Sequence, residues 1–206
     1  MKKFQALLIV TCLITVLACK KDKKEDDQNI DTTTEAVESS TTSNNNSKAT
    51  NKSTAFKKIR MVLDAKSGST VNGSAVFKQD KGVVSMIATF SGLSEGEHAI
   101  HLHEKADCSS DDGKSTGGHW NPTGAQHGKW GDAKGYHKGD IGNFTADANG
   151  NGYVSFNTDE WCIGCGDETM DILGKALIVH QGTDDFTSQP SGAAGSRVSC
   201  GGIVEE

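Results

Sequence analysis

Proline is nearly missing from this chain, at 2 of 206 residues, and aromatic side chains reach only 6%. Both shortages argue against a large helical core. Glycine is abundant instead, at 24, and glycines placed between short β-rich runs fit an antiparallel sandwich or barrel. Positive charge is also short, with 21 Lys and Arg against 27 Asp and Glu and a net charge of −6. A polyanion such as nucleic acid is therefore a poor partner. No apolar run reaches the roughly 20 residues that a membrane-spanning helix needs. Internal repeats and a second domain are absent too, so the length fits one domain with something attached.

The attachment is at the start. Lys2 and Lys3 precede an apolar-rich run from Phe4 to Ala18, which ends in Val16-Leu17-Ala18-Cys19. This is the pattern of a signal peptide over residues 1–18, and its last residues resemble a bacterial lipobox, with Cys19 as the lipidated first residue of the mature chain. The expectation is an exported lipoprotein of the cell envelope, periplasmic or on the outer surface, held to a membrane by its lipid. Losing Lys2 and Lys3 takes the charge from −6 to −6 − 2 = −8. Residues 19–54 begin with a charge run and continue in Thr, Ser, Asn and Glu. With almost nothing to bury, they cannot offset their ordering entropy and are expected to be a disordered tether, averaging about 30–35 Å end to end.

From residue 55 to 206 the texture is that of a folded domain. Lys57–Asp64, Val71–Lys78, Val83–Phe90 and His98–Glu104 read as strands, as do Asp140–Ala146, Tyr153–Asn157, Lys175–His180 and Val198–Val204. Residues 105–138 are rich in Gly and polar groups and too long for an ordinary connection, which marks them as functional.

Six of the seven histidines fall between His98 and His137. In a strand, His101 and His103 present two imidazoles on one face while Ile100 and Leu102 point to the core on the other. His137-Lys138-Gly139-Asp140 sets an imidazole and a carboxylate three residues apart around a turn, a pair suited to zinc. His119 and His127 share the intervening loop. No cysteine stands among these candidates, so a zinc-finger reading fails. Imidazole-rich sets suit copper and zinc.

Five motifs carry a resemblance: His98-Ala-Ile-His-Leu-His-Glu104, Gly117-Gly-His-Trp-Asn-Pro122, His137-Lys-Gly-Asp-Ile-Gly142, Leu177-Ile-Val-His180 and Gly195-Ser-Arg-Val-Ser-Cys-Gly-Gly-Ile203. In that order, over nearly the whole domain, they resemble the copper–zinc superoxide dismutases. The resemblance implies an all-β, eight-stranded Greek-key sandwich or flattened barrel with long metal-binding loops. Copper would be held by His101, His103, His119 and His180, and zinc by His119, His127, His137 and Asp140. His119 would bridge the two ions, and His98 would be structural. Asp184 would link a copper ligand to a zinc ligand, and Arg197 would orient a small anion beside the copper. The implied reaction is disproportionation of superoxide to dioxygen and hydrogen peroxide, with His119 supplying a proton. A protein that binds copper and zinc without turnover is the alternative, and a homodimer stays open.

With Cys12 in the leader and Cys19 in the anchor, Cys108, Cys162, Cys165 and Cys200 remain, an even number that suggests disulfides in an exported protein. The resemblance pairs Cys108 with Cys200. Cys162-Ile-Gly-Cys165 has no counterpart in the family pattern; it reads as a small disulfide or as a redox or copper-handling dithiol. The segment between His180 and Arg197 holds no lysine. Electrostatic steering is therefore expected to be weak or to come from another side, with Lys129, Lys134 and Lys138 as candidates.

Overall fold

The computed structural model describes residues 56–205; the expected signal peptide, Cys19 and tether lie outside the described residues. Eight strands run β1 (Lys57–Ala65), β2 (Asn72–Asp80), β3 (Val83–Ser91), β4 (Gly96–His103), β5 (Gly142–Ala146), β6 (Gly152–Thr158), β7 (Ala176–His180) and β8 (Arg197–Gly202). They close into an antiparallel barrel in the order β1-β2-β3-β6-β5-β4-β7-β8. Because β3 neighbours β6 and not β4, the chain crosses between its two halves, as the Greek-key expectation requires. All eight expected strands are present, with ends shifted by a few residues.

Period-2 alternation explains the first three strands. Ile59, Met61 and Leu63 are buried on β1, Ala75 and Phe77 on β2, and Val84, Met86, Ala88 and Phe90 on β3, while the residues between them face outward. Lys81 and Gly82, both at positive φ, form the tight turn that pairs Asp80 with Val83. A two-residue turn of this kind matches the twist of the strands it joins.

β4 and β7 break the alternation, being buried throughout from His98 to His103 and from Ala176 to His180. Ile100, Leu102, Leu177 and Val179 enter the main core with Trp161 and Ile203. The opposite faces of β4 and β7 are covered by the long loops 104–141 and 181–196. Thus the two strands carrying copper-ligand candidates are roofed by the loops carrying the other ligand candidates. Two backbone bonds fix one loop to β4, from Trp120 N to Leu102 O at 2.8 Å and from Leu102 N to Gly139 O at 2.9 Å, and a third ties the loop to itself, from Gly139 N to Trp120 O at 3.0 Å. A Cβ at position 139 would collide with the Leu102 carbonyl, so glycine is needed for that approach.

Two disulfides are present, Cys108–Cys200 and Cys162–Cys165. The first packs beside Ala176 and Ile178 and ties the loop after β4 to the last strand.

Candidate metal centre

Among the described residues two histidine-rich clusters of ligand atoms form, one from His101, His103, His119 and His180 and the other from His119, His127, His137 and Asp140, and all seven residues are buried. His101 and His103 stand two apart on β4, and His180 ends β7. A register shift between Val179 and His180 sets His180 opposite Arg197 on β8. His119 reaches β4 through an isolated bridge with His103.

Ring orientation separates the two clusters. His119 Nδ1 lies 2.8 Å from Asp140 Oδ1, and its Nε2 is buried without a partner. His101 Nε2 meets Asp184 Oδ2 at 2.9 Å, which turns the unpartnered Nδ1 inward. His103 Nδ1 donates to Gly117 O at 3.0 Å and His180 Nδ1 to Gly195 O at 3.3 Å, leaving their two Nε2 atoms 3.4 Å apart. On the other side, His127 Nδ1 and His137 Nδ1 lie 3.0 and 3.4 Å from Asp140 oxygens without forming hydrogen bonds. Buried polar groups are nearly always hydrogen-bonded. Four orphaned ring nitrogens converging in two groups are the signature of ligands, and the donor sets fit one copper-type and one zinc-type ion.

Protonation agrees with this. Burial holds His101 down, and His103 and His180 well down, and it brings His119 to about 4 against the pull of Asp140. These imidazoles are neutral at pH 7, the form that binds metal. Burial opposes a charge on His127 as well, but contacts with Asp140 and Asp184 outweigh it and raise the group to about 9. For both carboxylates burial acts upward and is overcome. Asp140 is held far down by His119, His127 and His137, and Asp184 by His101 and His127. A dication among His119, His127, His137 and Asp140 would replace the proton on His127.

Asp184 spans the clusters, with Oδ2 on His101 and Oδ1 2.9 Å from His127 Nε2. Such carboxylates fix the tautomer and orientation of metal-binding imidazoles. Two amide side chains that the sequence did not mark hold this arrangement in turn. Asn143 clasps the backbone of Asp184, at 2.8 and 2.9 Å, and Gln189 clasps that of His127, at 2.9 Å both ways. His98 lies apart, its Nδ1 donating to His180 O at 2.9 Å, as a structural histidine should.

A cavity of about 600 Å³ opens onto His103, His119, His180 and Arg197. The half-buried Arg197 guanidinium is anchored by Gly113 O, Thr116 Oγ1 and Gly117 O at 2.8–2.9 Å. The lysine on this cavity is Lys114, paired with Asp112 at 2.9 Å; Glu104 also lines it. Lys114 hydrogen bonds hold the Asp112 carboxyl down at about 2, so the two charges cancel at neutral pH. Lys129, Lys134 and Lys138 do not line it, and Lys138 is paired with Glu160.

A closed antiparallel barrel whose loops bring two buried ligand clusters together on one shared histidine defines a class of protein. The pattern of the copper/zinc superoxide dismutases matches residues 71–203, and the chain belongs to that family. It is 34% identical over 142 residues to an extracellular Cu-Zn superoxide dismutase of Caenorhabditis elegans, covering 65% of this chain and 62% of that protein. Cu-Zn superoxide dismutase 2 of Aquifex aeolicus is 32% identical, covering 66% and 80%. The copper chaperone for superoxide dismutase of Rattus norvegicus is 34% identical, covering 66% and 49%. Among solved structures, a mutant of a superoxide dismutase-like protein from Bacillus subtilis superposes with a TM-score of 0.64 at 30% identity, covering 73% of this chain and 100% of that one.

Proposed function

We propose that this chain is a copper–zinc superoxide dismutase. It would convert two superoxide ions and two protons to dioxygen and hydrogen peroxide. The observation that carries the reading is His119: one ring nitrogen faces Asp140, the other faces His101, His103 and His180, and Arg197 stands at the same cavity. His101, His103, His119 and His180 would hold copper, and His119, His127, His137 and Asp140 would hold zinc. Bound copper would supply the one-electron redox couple, and zinc, which has none, would fix His119.

The chain's own groups do the rest. Arg197 draws a small anion by charge and directs it by hydrogen bonding, and burial keeps its surroundings low in dielectric. His119 Nε2 can take up a proton and give it to the reduced oxygen species, while Nδ1 stays turned to Asp140. Asp184 holds His101 and His127 in place throughout.

Relatives named as copper chaperones support a second reading, copper and zinc binding without turnover. The Arg197→Ala variant separates the two. It is expected to keep both ions and to consume superoxide at least about tenfold more slowly, the loss of roughly one charged hydrogen bond. Unchanged consumption would remove Arg197 from the reaction. The same assay run across ionic strength is expected to fall only gently, because Lys114 is cancelled by Asp112 and, among the described residues, Arg197 is the one cation left on the cavity to draw the anion; a steep fall with salt would contradict this.

The Lys2, Lys3 and Phe4–Ala18 pattern ending in Cys19 supports export to the cell envelope and lipid anchoring. Cys19→Ser is then expected to move the protein from the membrane to the soluble fraction; no change on fractionation would sink the anchor.

A further inference from the structure

Cys162 and Cys165 lie in the connection from β6 to β7 and play no part in the site above. Their sulfurs and an oxygen of Asp171 are close enough to share one ion. The disulfide between them spans only three residues in sequence, and the loop is already secured by other bonds. Asp171 accepts from Gly164 N at 2.9 Å and Leu173 N at 3.0 Å on Oδ1, and from Gly166 N at 2.9 Å on Oδ2. Cys162 N donates to Met170 O at 2.8 Å, and Ile172 N to Cys162 O at 3.0 Å.

The residues between the cysteines are fixed from outside the loop. Lys57 Nζ donates to Ile163 O at 2.6 Å and to Gly164 O at 3.0 Å, and Ile163 N donates to Gln79 Oε1 at 2.8 Å. Opening the disulfide would therefore leave both sulfurs near their present positions, which is the definition of a preorganised dithiol. Cys162 is buried at 2% exposure, whereas Cys165 is exposed, so an attacking thiol has a sulfur to reach.

We propose that Cys162 and Cys165 form a redox-gated copper(I) site, closed as the disulfide and open as the dithiol. A dithiol reductant delivers two electrons and two protons to the sulfur–sulfur bond, which breaks to two thiols as the reductant closes to its own disulfide. One Cu(I) then displaces both protons and is held by two thiolates. Soft thiolates select Cu(I). Asp171, with three of its acceptor positions already taken by backbone N–H groups, has little left for a harder ion. Gly166 and Asp171 line a surface cavity that shares Glu104 and Asn121 with the cavity at His119 and Arg197.

The test uses the full chain with its principal site filled by copper and zinc, so it stands apart from whether that site turns over. The protein is treated with a dithiol, and each cysteine is followed by peptide mapping after alkylation. Cu(I) is then titrated against a competing Cu(I) chelator. Cys162 and Cys165 are expected to open while Cys108 and Cys200 remain joined. One further equivalent of Cu(I) should bind after reduction and none before, with thiolate-to-copper absorption in the near ultraviolet. Cys165→Ser, at an exposed position, should fold normally and lose that equivalent. The proposal is overturned if the pair opens only together with Cys108–Cys200, if no extra copper binds, or if Cys165→Ser still binds it. Preferential binding of zinc from an equal mixture would overturn the assignment to copper.

Discussion

His119→Ala is expected to disturb both ions at once and to abolish superoxide consumption. Each cluster would lose one of its four ligands, and Asp140 would lose the partner now 2.8 Å away. The missing proton donor alone accounts for about 10²–10⁴-fold, before any loss of metal. His103→Ala is the informative comparison, because His103 belongs only to the cluster of His101, His119 and His180. It should lower copper content and leave zinc in place. Metal analysis of the two variants, beside superoxide decay, checks the prediction. A His119→Ala protein that keeps both ions at full affinity would contradict the shared-ligand assignment.

The second large effect is on stability. Cys108 and Cys200 are 92 residues apart, and Cys162 and Cys165 are 3 apart. In the chain-entropy account, closing the longer loop contributes about 4–5 kcal/mol and the shorter about 2 kcal/mol. For a domain of this size each kcal/mol shifts the Tm by roughly 2–4 °C. Cys108→Ser is then expected to lower the Tm by roughly 8–20 °C, and Cys165→Ser by roughly 4–8 °C. The longer disulfide also steadies the loop whose Gly113 and Gly117 carbonyls hold Arg197. Cys108→Ser should therefore lose activity below its melting temperature, in proportion to loosening at Arg197. Calorimetry that found equal shifts for the two variants would refute the loop-length argument.

Much of this was legible in the chain. Ile59, Met61 and Leu63 announce a half-buried strand by spacing alone, as do Met86, Ala88 and Phe90. The alternation of His101 and His103 with Ile100 and Leu102 fixes which face packs and which binds, and β4 obeys it. The ends of strands are less clear: Asp140 and Ile141 look like strand residues but belong to the turn, because Asp140 is drawn to His119, His127 and the backbone of His137.

What could not be read depends on distant parts of the chain. The amide of Gln189 grips a backbone 62 residues away and that of Asn143 one 41 residues away; neither residue has a local pattern that marks it. The place of His180 beside Arg197 follows from a register shift between two strands, which no spacing foretells. Lysines in the zinc-side loop were reasonable candidates for steering by position in sequence. In the fold Lys138 turns to Glu160, and Lys114, from an earlier segment, lines the cavity instead.

The central claim is that His119 joins two ion sites into one centre that turns over superoxide. The most direct measurement is superoxide decay with protein whose copper and zinc content has been determined on the same sample. One copper and one zinc per chain, with decay far above that of the free buffer, is the predicted result. A fully loaded protein that leaves superoxide to decay at the buffer rate would contradict it.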